Sequence, residues 1–145
     1  MYREQFEFLK TRADSLSQCK RRKVAAMILD VGGTGENVVG LNCEGPTAHL
    51  CSSSCLRNDL GIETGHDPDA CRGWHAEQAA LLQAGMDKCQ DKTILTTLAP
   101  CVSCAKWLIA AGIRRVVYID NYTNDLGLQL LREAGVLVEQ YKEGE

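Results

Sequence analysis

A chain of 145 residues is long enough for one domain with a real core, and its 45% apolar and 24% charged residues are ordinary for a soluble globular protein. A net charge of −3 argues against a protein built to coat nucleic acid, and no apolar run approaches membrane-spanning length. Residues 1–8 carry acidic side chains and no long apolar core, so they do not read as a signal peptide; the eight Cys are then expected in a reducing cytoplasm, as free thiols and metal ligands rather than disulfides.

Residues 2–18 place Phe6, Leu9, Ala13 and Leu16 at helical spacing and predict an amphipathic helix packed on the domain. Cys19-Lys20-Arg21-Arg22-Lys23 follows. Four adjacent cations are either a solvated turn or an anion site for a substrate phosphate or a nucleotide effector. Residues 24–30 read as a buried strand running into Gly32-Gly33-Thr34-Gly35. These glycines fit neither glycine-rich phosphate fingerprint, so the expectation is a hairpin turn, with residues 37–42 as the returning antiparallel strand. Residues 43–72 read as an irregular insert holding Cys43, His49, Cys51, Cys55, His66 and Cys71, with a short helix over 56–61. A loop this long in a compact domain is usually functional or pinned, and a metal is the simplest pin.

Residues 75–86 predict a helix, 93–98 a β-branched strand, and the segment from Cys101 a helix that stops near Gly112. Residues 115–120 follow as a buried strand, 125–134 as a helix stopped by Gly135, and 136–140 as a last strand. The tail, 141–145, reads as polar and frayed. The fold class expected is α/β: a three-layer α/β/α domain with a five-stranded mixed sheet, an opening hairpin followed by parallel neighbours.

Two short motifs carry the chemistry: His75-Ala76-Glu77 and Pro100-Cys101-Val102-Ser103-Cys104. One His and two Cys make a three-ligand zinc set with an open fourth corner, the catalytic rather than the structural pattern. Cys101 and Cys104 share one face of a helical turn, and Pro100 suits a helix entry. Both motifs open helices, whose dipoles favour thiolate and bound hydroxide. Glu77 is not needed as a ligand and is free to move protons. Alone, a CxxC is weak evidence and an HxE weaker; together, in this order, they form the zinc nucleobase deaminase signature.

The chain therefore resembles the cytidine deaminase-like superfamily, and within it the deoxycytidylate (dCMP) deaminases. Residues 19–24, Gly40-Leu41-Asn42, the run from Cys71 to Gln78, and the run from Pro100 to Lys106 carry the resemblance. It implies that His75, Cys101 and Cys104 bind the catalytic zinc and that Glu77 shuttles protons while water replaces the C4 amino group, converting dCMP to dUMP for thymidylate synthesis. It implies that the Ala76 backbone reads the base edge, that Asn42 holds the sugar, and that Tyr122 lines the nucleotide site. It also implies a second, structural zinc on Cys19, Cys51, Cys55 and Cys71, with His49 or His66 as substitutes. Cys43 and Cys89 then read as ordinary small apolar residues.

Candidate phosphate ligands are Arg21, Arg22, Lys23, Arg72, and Arg114 or Arg115, which the sequence does not rank. A homo-oligomer, hexameric by resemblance, with dCTP and dTTP as effectors, is the implied assembly. The family commonly has Gly after the Asn, where this chain has Cys43, and Gly where it has Ala25. The extra methyl of Ala25 is expected to crowd a bound nucleotide. One rival is a nucleic-acid base deaminase of the tRNA adenosine type, which would want a broad basic face and exposed aromatics. Another is a non-catalytic zinc module, which would not need Glu77.

Overall fold

The computed structural model describes residues 1–143. Helix α1 (Arg3–Leu16) buries Phe6, Leu9 and Ala13, the apolar positions three or four apart. Leu16, expected on the same face, is half exposed because the helix ends there. Strand β1 (Ala25–Ile28) is buried along its whole length and pairs antiparallel with β2 (Val38–Leu41). The turn between them is tight: Asp30, Gly32, Gly33 and Gly35 all have positive φ, and Val31 N–H donates to the Glu36 carbonyl at 2.7 Å. It is the hairpin the glycines predict.

The insert is less irregular than its composition suggests. It holds two short helices, α2 (Ala48–Ser53) and α3 (Leu56–Asp59), of which only the second was legible. Helix α4 (Ala76–Ala84), strand β3 (Thr93–Leu98), helix α5 (Val102–Ala110), strand β4 (Arg115–Asp120), helix α6 (Leu126–Glu133) and strand β5 (Leu137–Gln140) complete the chain.

The five strands form one mixed sheet in the order β2-β1-β3-β4-β5. β1 is antiparallel to both neighbours; β3, β4 and β5 run parallel. One face is covered by α1, through a cluster of Phe6, Leu9 and Ala13 with Met27, Leu95 and Val117. The other is covered by α4, α5 and α6, through Leu81, Leu108 and Leu131 with Ile28, Ile94 and Val116. This is the three-layer architecture expected. Ala25 is fully buried in the α1 cluster, so its methyl packs away from the opposite face and does not crowd a ligand there. Tyr141 is not frayed: it is buried and stacks on Phe6 with ring centroids 4.8 Å apart. Gly144 and Glu145, the end of the expected tail, lie outside the described residues.

Candidate active site

The parallel strands β3 and β4 bring their carboxyl ends together, Leu98 beside Asp120, and the chain leaving β3 enters Pro100 and Cys101 there. Sheet ends of this kind are where α/β proteins place their sites. Arg115 pairs with Thr93 at the opposite end of the same strands and bonds Glu139 at 2.7 Å, so the Arg114–Arg115 pair is far from this site.

His75 and Cys101 are the residues that cap α4 and α5. Gln78 Oε1 accepts the His75 backbone N–H at 3.0 Å, which fixes the entry to α4. Two glycines let these helix starts settle. A Cβ at Gly40 would lie 2.3 Å from Ala80 N and 2.4 Å from the Ala76 carbonyl, so α4 rests on bare β2 backbone. A Cβ at Gly127 would lie 2.2 Å from the Pro100 carbonyl, so the start of α6 presses against the Cys101 turn.

His75 Nδ1 lies 3.1 Å from Cys104 Sγ and 3.6 Å from Cys101 Sγ, and the three donor atoms lie within 4.8 Å of one another. Zinc bonds of about 2.1 Å to nitrogen and 2.3 Å to sulfur at a tetrahedral angle put neighbouring donors about 3.6 Å apart. The set therefore fits one zinc ion with a fourth position free. The thiols favour it: Cys101 is lowered to about 4, first by a hydrogen bond from Cys104, then by His75. Cys104 is pushed up, first by Cys101 and then by burial, as expected when two sulfurs share one proton.

Glu77 is buried, 4% exposed, and burial raises its pKa. Its Oε1 lies 3.0 Å from Thr96 Oγ, which also donates to the Leu98 carbonyl at 2.9 Å. A hydroxyl suits a carboxyl that changes state. It can donate to the ionised form, or accept from the protonated form while its own proton turns to Leu98. The arrangement can hold a metal and move a proton beside it.

Above these residues lies a cleft of about 310 Å³ lined by His75, Ala76, Glu77, Asn42, Tyr122 and three arginines, Arg21, Arg22 and Arg57. That is near the small end of the about 300–1,000 Å³ typical of small-molecule sites. Lys23 is not among the lining residues; its Nζ donates to the Asp14 carbonyl at 3.1 Å. Arg72 is also absent from the lining and holds the Leu50 and Ser54 carbonyls. Asn42 lines the cleft, but its amide is mostly spent on the fold. Oδ1 accepts from Ser17 Oγ at 2.5 Å and Val24 N–H at 2.9 Å, and Nδ2 donates to the Arg22 carbonyl at 2.6 Å. Arg57 and Thr96 were missed by sequence reading. Arg57 hides in an insert read for its thiols, and Thr96 looks like any β-branched strand residue.

The remaining thiols gather as well. Cys19, Cys43, Cys51, Cys55 and Cys71 line one small cavity of about 20 Å³. Cys43, expected to be inert packing, has φ 59 and sits among them; a Cβ at Gly73 would lie 2.5 Å from its sulfur and 3.0 Å from that of Cys51. A hydrogen bond from Cys43 holds Cys19 down at about 5 against the opposing effect of burial, helped by the N–H groups of Arg22 and Arg21. Among the described residues, only His75, Cys101 and Cys104 bring three ligand atoms within 4.8 Å, so these five do not converge as tightly. His49 and His66 are exposed and do not line the cavity.

A three-layer sheet carrying an imidazole, two thiols and a buried carboxyl at its strand ends defines the class of cytidine deaminase-like zinc proteins. Residues 3–120 match the family of the cytidine and deoxycytidylate deaminase zinc-binding region, and the chain belongs to that family. A deoxycytidylate deaminase of Saccharomyces cerevisiae is 32% identical over 94% of this chain, which spans only 43% of that relative's length. One from Mycobacterium phage D29 is 32% identical over 79% of this chain and 91% of its own. The dCMP deaminase of cyanophage S-TIM5, solved with dCMP and dUMP, superposes with a TM-score of 0.70 at 27% identity, covering 97% of this chain and 98% of that one. No helix among the described residues is long and apolar enough to cross a membrane.

Proposed function

We propose that this chain hydrolytically deaminates dCMP to dUMP and ammonia, supplying dUMP for thymidylate synthesis. The observation that carries the reading is Glu77, a buried carboxyl beside the His75–Cys101–Cys104 set at the floor of a cleft with three arginines. A zinc ion held by those three residues would lower the pKa of a bound water to about 7, making it available as a nucleophile at neutral pH. Glu77 takes one proton from that water and passes it to N3 of the cytosine ring as the oxygen bonds C4, then moves the proton of the new C4 hydroxyl to the amino group, which leaves as ammonia as the C4–N bond breaks. Ala76, at the first position of α4, has an N–H without an intrahelical partner, which suits an acceptor on the base edge. Thr96 keeps the Glu77 carboxyl turned to its place through both proton transfers.

A net charge of −3 and few aromatics favour a free nucleotide over a base in a polymer. The insert closes one side of the cleft: Gly65 packs so tightly that a Cβ there would meet Thr123 Oγ1 at 2.5 Å, joining the insert to the loop after β4. The reading extends to a second, structural zinc on the thiol cavity, with Cys43 beside Cys19, Cys51, Cys55 and Cys71. It extends by resemblance to a cytoplasmic hexamer answering to dCTP and dTTP; exposed Leu82, Trp107 and Leu126 are apolar surface that an assembly would cover.

The test is a spectroscopic panel of dCMP, CMP, cytidine, dCTP and adenosine, with and without dCTP or dTTP. Turnover led by dCMP is the expected result; turnover of adenosine, or none of dCMP, contradicts it. Metal analysis of the loaded protein is expected to give two zinc ions per chain, and Cys71→Ser one, with activity reduced but not lost. A single zinc in the wild type rules the second site out.

A further inference from the structure

A nucleotide's phosphate needs a cation the protein has not already committed. Of the three arginines in the cleft, Arg21 directs Nη1 to Asn58 Oδ1 at 3.1 Å and Nη2 to the Ile62 carbonyl at 2.5 Å. Arg22 is exposed and lies 3.4 Å from Asp120 Oδ2. Arg57, from α3 of the insert, differs. Its Nη2 donates to the carbonyls of Glu63 at 3.2 Å and His66 at 2.8 Å, which anchors the guanidinium in the insert loop. Its Nε is shut off from solvent with no acceptor, and among the described residues it pairs with no carboxylate. An N–H of a cation left buried without an acceptor is costly unless a ligand supplies one. A phosphoryl group can, because its oxygens match the guanidinium fork. Thr64 and Tyr122 line the same cleft and add hydroxyls suited to the same anion.

We propose that Arg57 recognises the phosphate of the substrate and sets the preference for a nucleoside monophosphate over the free nucleoside. The proposal rests on the reading of the cleft as a cytosine-nucleotide site. It assigns the insert a share in specificity, beyond any metal it holds.

The test compares wild type, Arg57→Gln and Arg57→Lys on dCMP and on deoxycytidine. In Arg57→Gln, kcat/KM for dCMP should fall about a hundredfold, mostly through KM, with the deoxycytidine value unchanged. Arg57→Lys keeps the charge and should recover part of the loss. A dCMP to deoxycytidine ratio equal to wild type overturns the proposal, whether both rates fall together or neither does. Calorimetric binding of dUMP against deoxyuridine reads the same ratio without turnover. A wild type that prefers dUMP in binding, with that preference lost in Arg57→Gln, but deaminates nothing overturns the catalytic reading while Arg57 stands. Wild type that binds neither overturns both.

Discussion

At the scale of single residues, Thr96 is the group whose role is easiest to isolate. Its hydroxyl touches Glu77 and a main-chain carbonyl, and Thr96 is not among the residues that line the cleft. Thr96→Val keeps the shape and removes the hydroxyl. It should lower kcat by about 10- to 100-fold with little change in KM, and Thr96→Ser should restore most of it. Steady-state kinetics of the three proteins check this; a valine variant with wild-type kcat contradicts it. Residue types with strong chemistry were legible from the sequence: His75, Glu77, Cys101 and Cys104 announce themselves by spacing. Thr96 and Arg57 were not, because what they do depends on neighbours distant in the chain, Glu77 for one and the 63–66 loop for the other. Asn42 illustrates the converse. Family resemblance implied a sugar ligand, and its geometry commits three hydrogen bonds to Ser17, Val24 and Arg22.

At the scale of elements, the site depends on how closely α4 and α6 approach what lies beneath them. Gly40→Ala puts a methyl into α4 backbone, a contact no side-chain movement can relieve. It should cost about 3 kcal/mol, roughly 10 °C in melting temperature. A thermal melt equal to wild type contradicts the packing. The boundaries of α4, β3, α5 and β4 followed from hydrophobic periodicity and Gly stops to within two residues. The insert resisted, because α2 and α3 are short and carry few apolar positions from which to read a period. Its role as one wall of the cleft is a tertiary fact: the Gly65 contact with Thr123 joins residues that no local pattern connects.

At the scale of the whole molecule, the order of strands decides where chemistry happens. The opening hairpin sets β1 antiparallel to β3, and the parallel set β3-β4-β5 then gathers its carboxyl ends at one edge. The His75 and Cys101 helices both begin at that edge, so ligands about two dozen residues apart meet within 3.6 Å. Charge follows the same plan. The chain is acidic overall, yet three arginines line the cleft, which concentrates positive potential there.

The measurement closest to the centre is ammonia release from dCMP by Glu77→Gln and wild type at matched zinc content. Wild type should convert dCMP to dUMP with one ammonia per turnover, and the variant should keep its metal and lose about 10²- to 10⁴-fold in rate. A zinc-loaded Glu77→Gln protein that deaminates dCMP at the wild-type rate contradicts the account.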